Sequence, residues 1–98
     1  MMDEESNLKR AEKKMTKVKV YGADWCGDTT RTREHLDTLG VQYDYIDVEQ
    51  DEEASRWVKE QNDGKELKPT VDINGQVLST PGNRELEDEL RQQRVIKG

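Results

Sequence analysis

The chain has 98 residues, 39% of them charged and 31% hydrophobic, with a formal net charge of -6. That length suits one small domain with a thin core. The acidic balance argues against a nucleic-acid partner, which needs clustered positive charge, and no apolar run is long enough to cross a membrane.

Residues 1–16 carry no strong apolar stripe and are expected to form a flexible N-terminal tail, with 17–98 as the folded domain. Leu8, Ala11 and Met15 make at most a loose helical face. Lys9, Arg10, Lys13, Lys14, Lys17 and Lys19 crowd this end. Such a mixed-charge run reads as a solvated segment, with docking to an acidic partner as the alternative. The N-terminus lacks the apolar core of a secretory signal. A lone cysteine excludes an intrachain disulfide. A reducing cytoplasm is the expected compartment.

Lys17–Ala23, "KVKVYGA", alternates and is rich in β-branched residues, as a strand does. Cys26–Leu39 reads as a helix, and Gly40 stands where a left-handed C-terminal cap favours glycine. Val41–Val48, "VQYDYIDV", has bulk on both faces and is expected to be a second strand, parallel to the first and covered on both sides. Asp51, Glu52 and Glu53 then open a helix that holds Ala54, Trp57 and Val58, their charge complementing the helix dipole. Asn62–Gly64 closes it.

After Pro69, "TVDI" and "QVLS" flank Asn74-Gly75, the dipeptide a type I′ hairpin turn demands. Asn83 is expected to cap a last helix with acidic residues early, basic residues late and Leu86 and Leu90 on one face. The order is β-α-β-α-β-β-α. It implies an α/β fold with a four-stranded mixed sheet, three flanking helices and a right-handed crossover.

Cys26 is the only cysteine. It sits where the first strand hands over to the first helix. The first N–H groups of a helix lack internal partners and carry partial positive charge, which favours a thiolate over a thiol. The flanks Asp24, Gly27 and Asp28 are polar, which argues against an inert buried cysteine. Asp24 and Asp28 oppose ionisation, so only a modest depression of the thiol pKa is expected. Gly27 would let a substrate approach closely. Thr29, one turn on, can offer its hydroxyl to the sulfur. Trp25 either packs under the site or shields the sulfur. His35 lacks neighbours at metal-ligand spacing and reads as a surface or half-buried side chain, and Trp57 reads as core.

The segments "YGADWCGDT", "YDYIDVEQDEEA", "KPTVDING" and "STPGNREL", in this order, resemble the glutaredoxin family of the thioredoxin-like fold, and within it the mycoredoxin-like bacterial branch. The resemblance covers Lys17 to about Ile96. It implies that Cys26 is the nucleophile, with Asp24, Trp25, Gly27, Asp28 and Thr29 as its loop, and that Pro69 is a cis proline. It further implies that Lys68, Pro69, Thr80, Pro81, Gly82 and Asn83 receive a low-molecular-weight thiol: glutathione, mycothiol or bacillithiol. Thr29 replaces the family's second cysteine. Ala23 stands in place of a common lysine, and Lys68 in place of a valine or threonine, where its charge could serve instead.

A monothiol oxidoreductase follows as the expected activity. It would act as a monomer on mixed disulfides between proteins and the small thiol, without a metal. The alternatives are an iron–sulfur cluster carrier using Cys26 with small thiols as further ligands, and a binding domain that kept the fold and lost the chemistry.

Overall fold

The computed structural model describes residues 17–97. The expected tail over 1–16, with most of the cation cluster and the Leu8–Met15 face, lies outside the described residues. Strand β1 spans Val18–Gly22. Val18, Val20 and Gly22 are buried, while Lys19 and Tyr21 turn to the other face and are half-buried. That alternation follows from the two-residue period of a strand.

Strand β1 is central in a sheet of order β2-β1-β3-β4. Strand β2, Asp44–Asp47, runs parallel to it, with Lys19 opposite Asp44 and Gly22 opposite Asp47. Strand β3, Thr70–Ile73, pairs antiparallel on the other side, with Val20 opposite Val71. Strand β4, Gln76–Ser79, continues antiparallel from β3. The intervening Asn74 and Gly75 have φ of 52° and 95°, the doubly positive pair of a type I′ turn.

Helix α1, Gly27–Thr38, connects β1 to β2. Cys26 is its N-cap and Leu39 its C-cap, and Gly40 follows at φ 74°. Helix α2, Glu52–Gln61, is capped by the Asp51 carboxylate, which accepts from the Ala54 N–H at 3.0 Å. Helix α3, Asn83–Gln92, closes the described fold.

Each sheet face has its own core. Leu36 of α1 and Leu86 and Leu90 of α3 pack with Val18, Val20, Val71, Ile73 and Leu78. On the other face, Ala54 and Val58 of α2 pack with Val48, joined by Tyr21, Ile46 and Trp57. The Tyr21 and Trp57 rings stack with centroids 4.6 Å apart. Leu86 and Leu90 are fully buried, and each contributes about 1.5–3 kcal/mol relative to an exposed side chain.

Two expectations need correction. The second strand covers only Asp44–Asp47 rather than Val41–Val48; Tyr45 packs against one core and Ile46 against the other, so both faces are partly covered, while Asp44 is exposed. Val41 is buried in the α1–α3 core, its N–H bonded to the Leu36 carbonyl at 3.0 Å, so its bulk serves the helix end and not the ladder. The N-cap of α3 is Gly82, and Asn83 is the first helical residue. The Asn83 side-chain oxygen accepts instead from Arg31 Nη1 at 2.6 Å, a partner 52 residues away.

Helices α1 and α3 are also tied by His35, whose Nε2 lies 2.6 Å from Glu87 Oε2, while Arg91 holds the same carboxylate at 3.0 Å. His35 is half-buried, as its sequence context implied. The contact with His35 lowers the Glu87 pKa, desolvation opposes it, and the contact with Arg91 adds a smaller lowering. A carboxyl depressed by folding contributes stability that is complete above its unfolded pKa and lost as pH falls through the lower folded one. Thermal midpoints are therefore expected to fall as pH drops from about 5 to 3, with a shallower slope in Glu87→Gln. Equal slopes would remove Glu87 from the account.

Candidate active site

The Cys26 sulfur lies at the start of α1, half-buried. Its backbone is extended (φ -83°, ψ 120°), so the chain leaves β1 and turns into the helix at this residue. The Cys26 N–H is bonded to the Ala23 carbonyl at 3.1 Å. Partial burial pushes the Cys26 thiol up. The Thr29 hydroxyl and the N–H groups of Thr29 and Asp28 outweigh it, and the net pKa is below the ordinary cysteine value. The Asp28 carboxylate opposes them. The direction is the one expected for a helix start that faces the acidic Asp28.

Thr29 is buried directly behind the sulfur. Its Oγ1 accepts from the Ala23 N–H at 3.4 Å, which leaves the hydroxyl proton free for Cys26. A Cβ on Gly22 would come within 2.5 Å of both Thr29 Cγ2 and Thr29 Oγ1. Gly22 is thus the seat on which Thr29 rests, a coupling between strand end and helix start that no local pattern announces. At Gly27 a Cβ would meet nothing within 4 Å, so this side of the cysteine is open.

Trp25 resolves toward the surface. Its side chain is 69% exposed, its Nε1 donates to Glu49 Oε2 at 2.7 Å, and it does not pack beneath the site. The Lys68 ammonium lies 5.3 Å from the centroid of the Trp25 ring and 3.1 Å from Glu66 Oε1. Lys68 is therefore not the free cation its position in the sequence suggested. Contact with Ser55, and then with Lys68, holds the Glu66 carboxyl below its usual range against partial burial.

The Lys68 carbonyl faces the sulfur at 3.8 Å, and the Lys68–Pro69 bond is cis. The Pro69 carbonyl accepts from the Thr80 N–H at 2.7 Å. Thr80 has φ 43°, Pro81 is buried, and Gly82 is the N-cap of α3. Three segments distant in sequence are thus linked in a row: Cys26 to Lys68, Pro69 to Thr80, and on to Asn83.

Arg31 was not singled out by the sequence. From α1 it reaches Asn83 Oδ1 at 2.6 Å and the Pro81 carbonyl at 3.4 Å, with Asp28 3.6 Å away. It places a guanidinium beside the free N–H groups at the start of α3. The i, i+5 spacing from Cys26 was the only available signal, and it is common to any helix. Among the described residues no group of three or more His, Cys, Asp or Glu side chains is arranged to hold a metal ion, and no helix is long and apolar enough to cross a membrane.

Comparison with known proteins places this arrangement. Mycoredoxin 1 of Corynebacterium glutamicum is 49% identical over 57 residues, which span 58% of this chain and 70% of that protein. The crystal structure of the glutaredoxin from Methanosarcina mazei superposes with a TM-score of 0.61 at 29% identity, covering 81% of this chain and 78% of the other. The glutaredoxin of Archaeoglobus fulgidus, at 23% identity, shares the fold with a TM-score of 0.65 over 79% of this chain and 88% of that one. Residues 18–78 match the family model of glutaredoxin. A four-stranded mixed sheet with this helix order, these relatives and that match establish that the chain belongs to the glutaredoxin family, with the thioredoxin-like fold.

Proposed function

We propose that residues 17–98 form a monothiol thiol–disulfide oxidoreductase that removes a small thiol from protein mixed disulfides through Cys26. The observation that carries this reading is a lone, half-buried sulfur with a lowered pKa at a helix start, facing the carbonyl that precedes Pro69. The thiolate attacks the sulfur of the small thiol. The mixed disulfide breaks, the protein leaves as a thiolate and takes up a proton, and Cys26 holds the small thiol. A second small thiolate then attacks that sulfur, frees Cys26 and leaves as the small-molecule disulfide. One protein thiol suffices, and no second copy of the chain is needed.

Lys68, Pro69, Thr80, Pro81, Gly82 and Asn83 are the proposed seat of the small thiol. Its anionic end would meet the free N–H groups at the α3 start and the Arg31 guanidinium, because Lys68 is already paired with Glu66. Mycothiol is the first candidate, on the strength of the Mycoredoxin 1 relative, ahead of glutathione and bacillithiol. A cytoplasm that keeps such thiols reduced is the fitting compartment.

Incubating the full chain with the disulfides of the three thiols and weighing the products tests this. A single adduct on Cys26 with one of them is expected, together with turnover of a protein mixed disulfide. Cys26→Ser is expected to reduce turnover to background. Absence of any adduct, or turnover that survives Cys26→Ser, would refute the proposal.

A further inference from the structure

Carboxylates ring the Cys26 face, and each has a partner. Asp28 of α1 is near Arg31, Glu66 pairs with Lys68, and Glu49 accepts from Trp25. Asp24 stands two residues before the sulfur, in the same loop. Its Oδ1 accepts from the Tyr45 hydroxyl of β2 at 2.7 Å. The Arg33 guanidinium of α1 lies 3.8 Å from the centroid of the Tyr45 ring and donates through Nε to the Tyr43 hydroxyl at 3.1 Å. Tyr43, Arg33, Tyr45 and Asp24 thus form one chain of contacts from the sheet edge, over the helix, into the active-site loop. It contains one positive and one negative charge.

We propose that Tyr45 and Arg33 are positioning residues for Cys26: they anchor the Asp24 loop to the sheet edge and offset the Asp24 charge, so that the sulfur ionises as if that carboxylate were absent. The inference rests on Cys26 being the reactive group of the proposed function. It explains a puzzle of the sequence, which sets two acidic residues around a cysteine meant to ionise. Of the two, Asp28 stands in the first turn of α1 and opposes Cys26 ionisation, whereas the Asp24 carboxylate accepts from the Tyr45 hydroxyl. The Asp24 field is felt instead by Tyr45, whose pKa is driven well above the usual phenol range by burial and then by Asp24. It is felt also by Arg33, which is held in its charged form first by Tyr43 and then against partial burial by Tyr45 and Asp24. Arg33 stands seven residues after Cys26, two helical turns along the same face. Tyr45 stands opposite Val20 in the β1–β2 ladder, so the anchor is fixed by register.

The chain has a single cysteine, so alkylation by iodoacetamide reads Cys26 alone and needs no small thiol. Its rate followed against pH gives the Cys26 midpoint whether or not a small-thiol adduct ever forms. Tyr45→Phe removes the hydroxyl with little change in shape and frees Asp24. The midpoint is expected to move up, with alkylation at pH 7 slower by about two- to threefold, the effect of one partly screened carboxylate. Adding Asp24→Asn to Tyr45→Phe is expected to return the profile to that of the wild type. A loop that had merely lost its anchor would stay slow in the double variant. Arg33→Gln, with and without Asp24→Asn, repeats the experiment should Tyr45→Phe fail to fold. An unshifted midpoint in the first variant that folds, or a shift that Asp24→Asn does not reverse, overturns the proposal.

Discussion

Thr29→Cys is expected to turn this single-thiol protein into one that closes an internal disulfide. Cys26 caps α1, and residue 29 is the third helical position, buried behind the sulfur with its hydroxyl directed to it. A cysteine there has one γ atom where threonine has two, and the seat that Gly22 provides already accommodates either γ position. The second sulfur therefore enters within bonding reach of the first, at the spacing that disulfide geometry requires. Mild oxidation with diamide should remove both free thiols without dimerisation. The Cys26 adduct should then release its small thiol by internal attack, so that this step no longer needs a second small thiol and the internal disulfide it leaves must be reduced by an added dithiol before the next turnover. Two thiols that both survive oxidation would show that the helix start does not present residue 29 to Cys26.

Gly22→Ala is expected to be the most destabilising single-methyl change near the site. The added Cβ would fall 2.5 Å from two Thr29 atoms and 3.1 Å from a third, in a region where both the strand end and the helix start are fixed by backbone hydrogen bonds. Overpacking of this kind costs about 1–3 kcal/mol. For a domain of this size each kcal/mol shifts the thermal midpoint by roughly 4–8 °C, so a fall of roughly 4–24 °C is expected by calorimetry or circular dichroism. Thr29→Ala in the same chain removes the two closest atoms and should recover most of the loss. It would also remove the hydroxyl that favours the thiolate, so stability would return while Cys26 reactivity falls. A Gly22→Ala protein that melts with the wild type would contradict the contact.

Elements with a local cause were readable from the sequence. The alternation of Val18 to Tyr21, the Asn74-Gly75 turn, Gly40 after α1 and the acidic start of α2 each act over a few residues, and each sits where expected within a residue or two. Cys26 was readable for the same reason: a helix start is a local electrostatic feature. The departures all involve side-chain partners that the pattern within one element does not specify. Asn83 looked like a cap until Arg31 claimed its oxygen. Val41 looked like strand because its apolar character does not say which neighbour it covers. Lys68 looked like a free cation, and Glu66, two residues before it, neutralises it from the same loop. The pairing of Tyr45 with Asp24 joins residues 21 apart, and periodicity within one element carries no information on such contacts.

The side chain of Asn62 has a consequence for the segment that leads into Pro69. Its amide donates to the Val58 carbonyl at 2.7 Å and to Thr70 Oγ1 at 3.3 Å, and its oxygen accepts from the Ser79 hydroxyl. The Thr70 hydroxyl in turn donates to the Leu67 carbonyl at 2.9 Å. One buried amide thus joins the end of α2, both strands of the hairpin and the loop between them. Such a knot removes the freedom of the loop to open alone, since each route outward breaks a bond to the hairpin or to the helix. Residues 62–69 then belong to the same cooperative unit as β3 and β4. The carbonyl that faces the sulfur inherits the opening frequency of the sheet, not that of a surface loop.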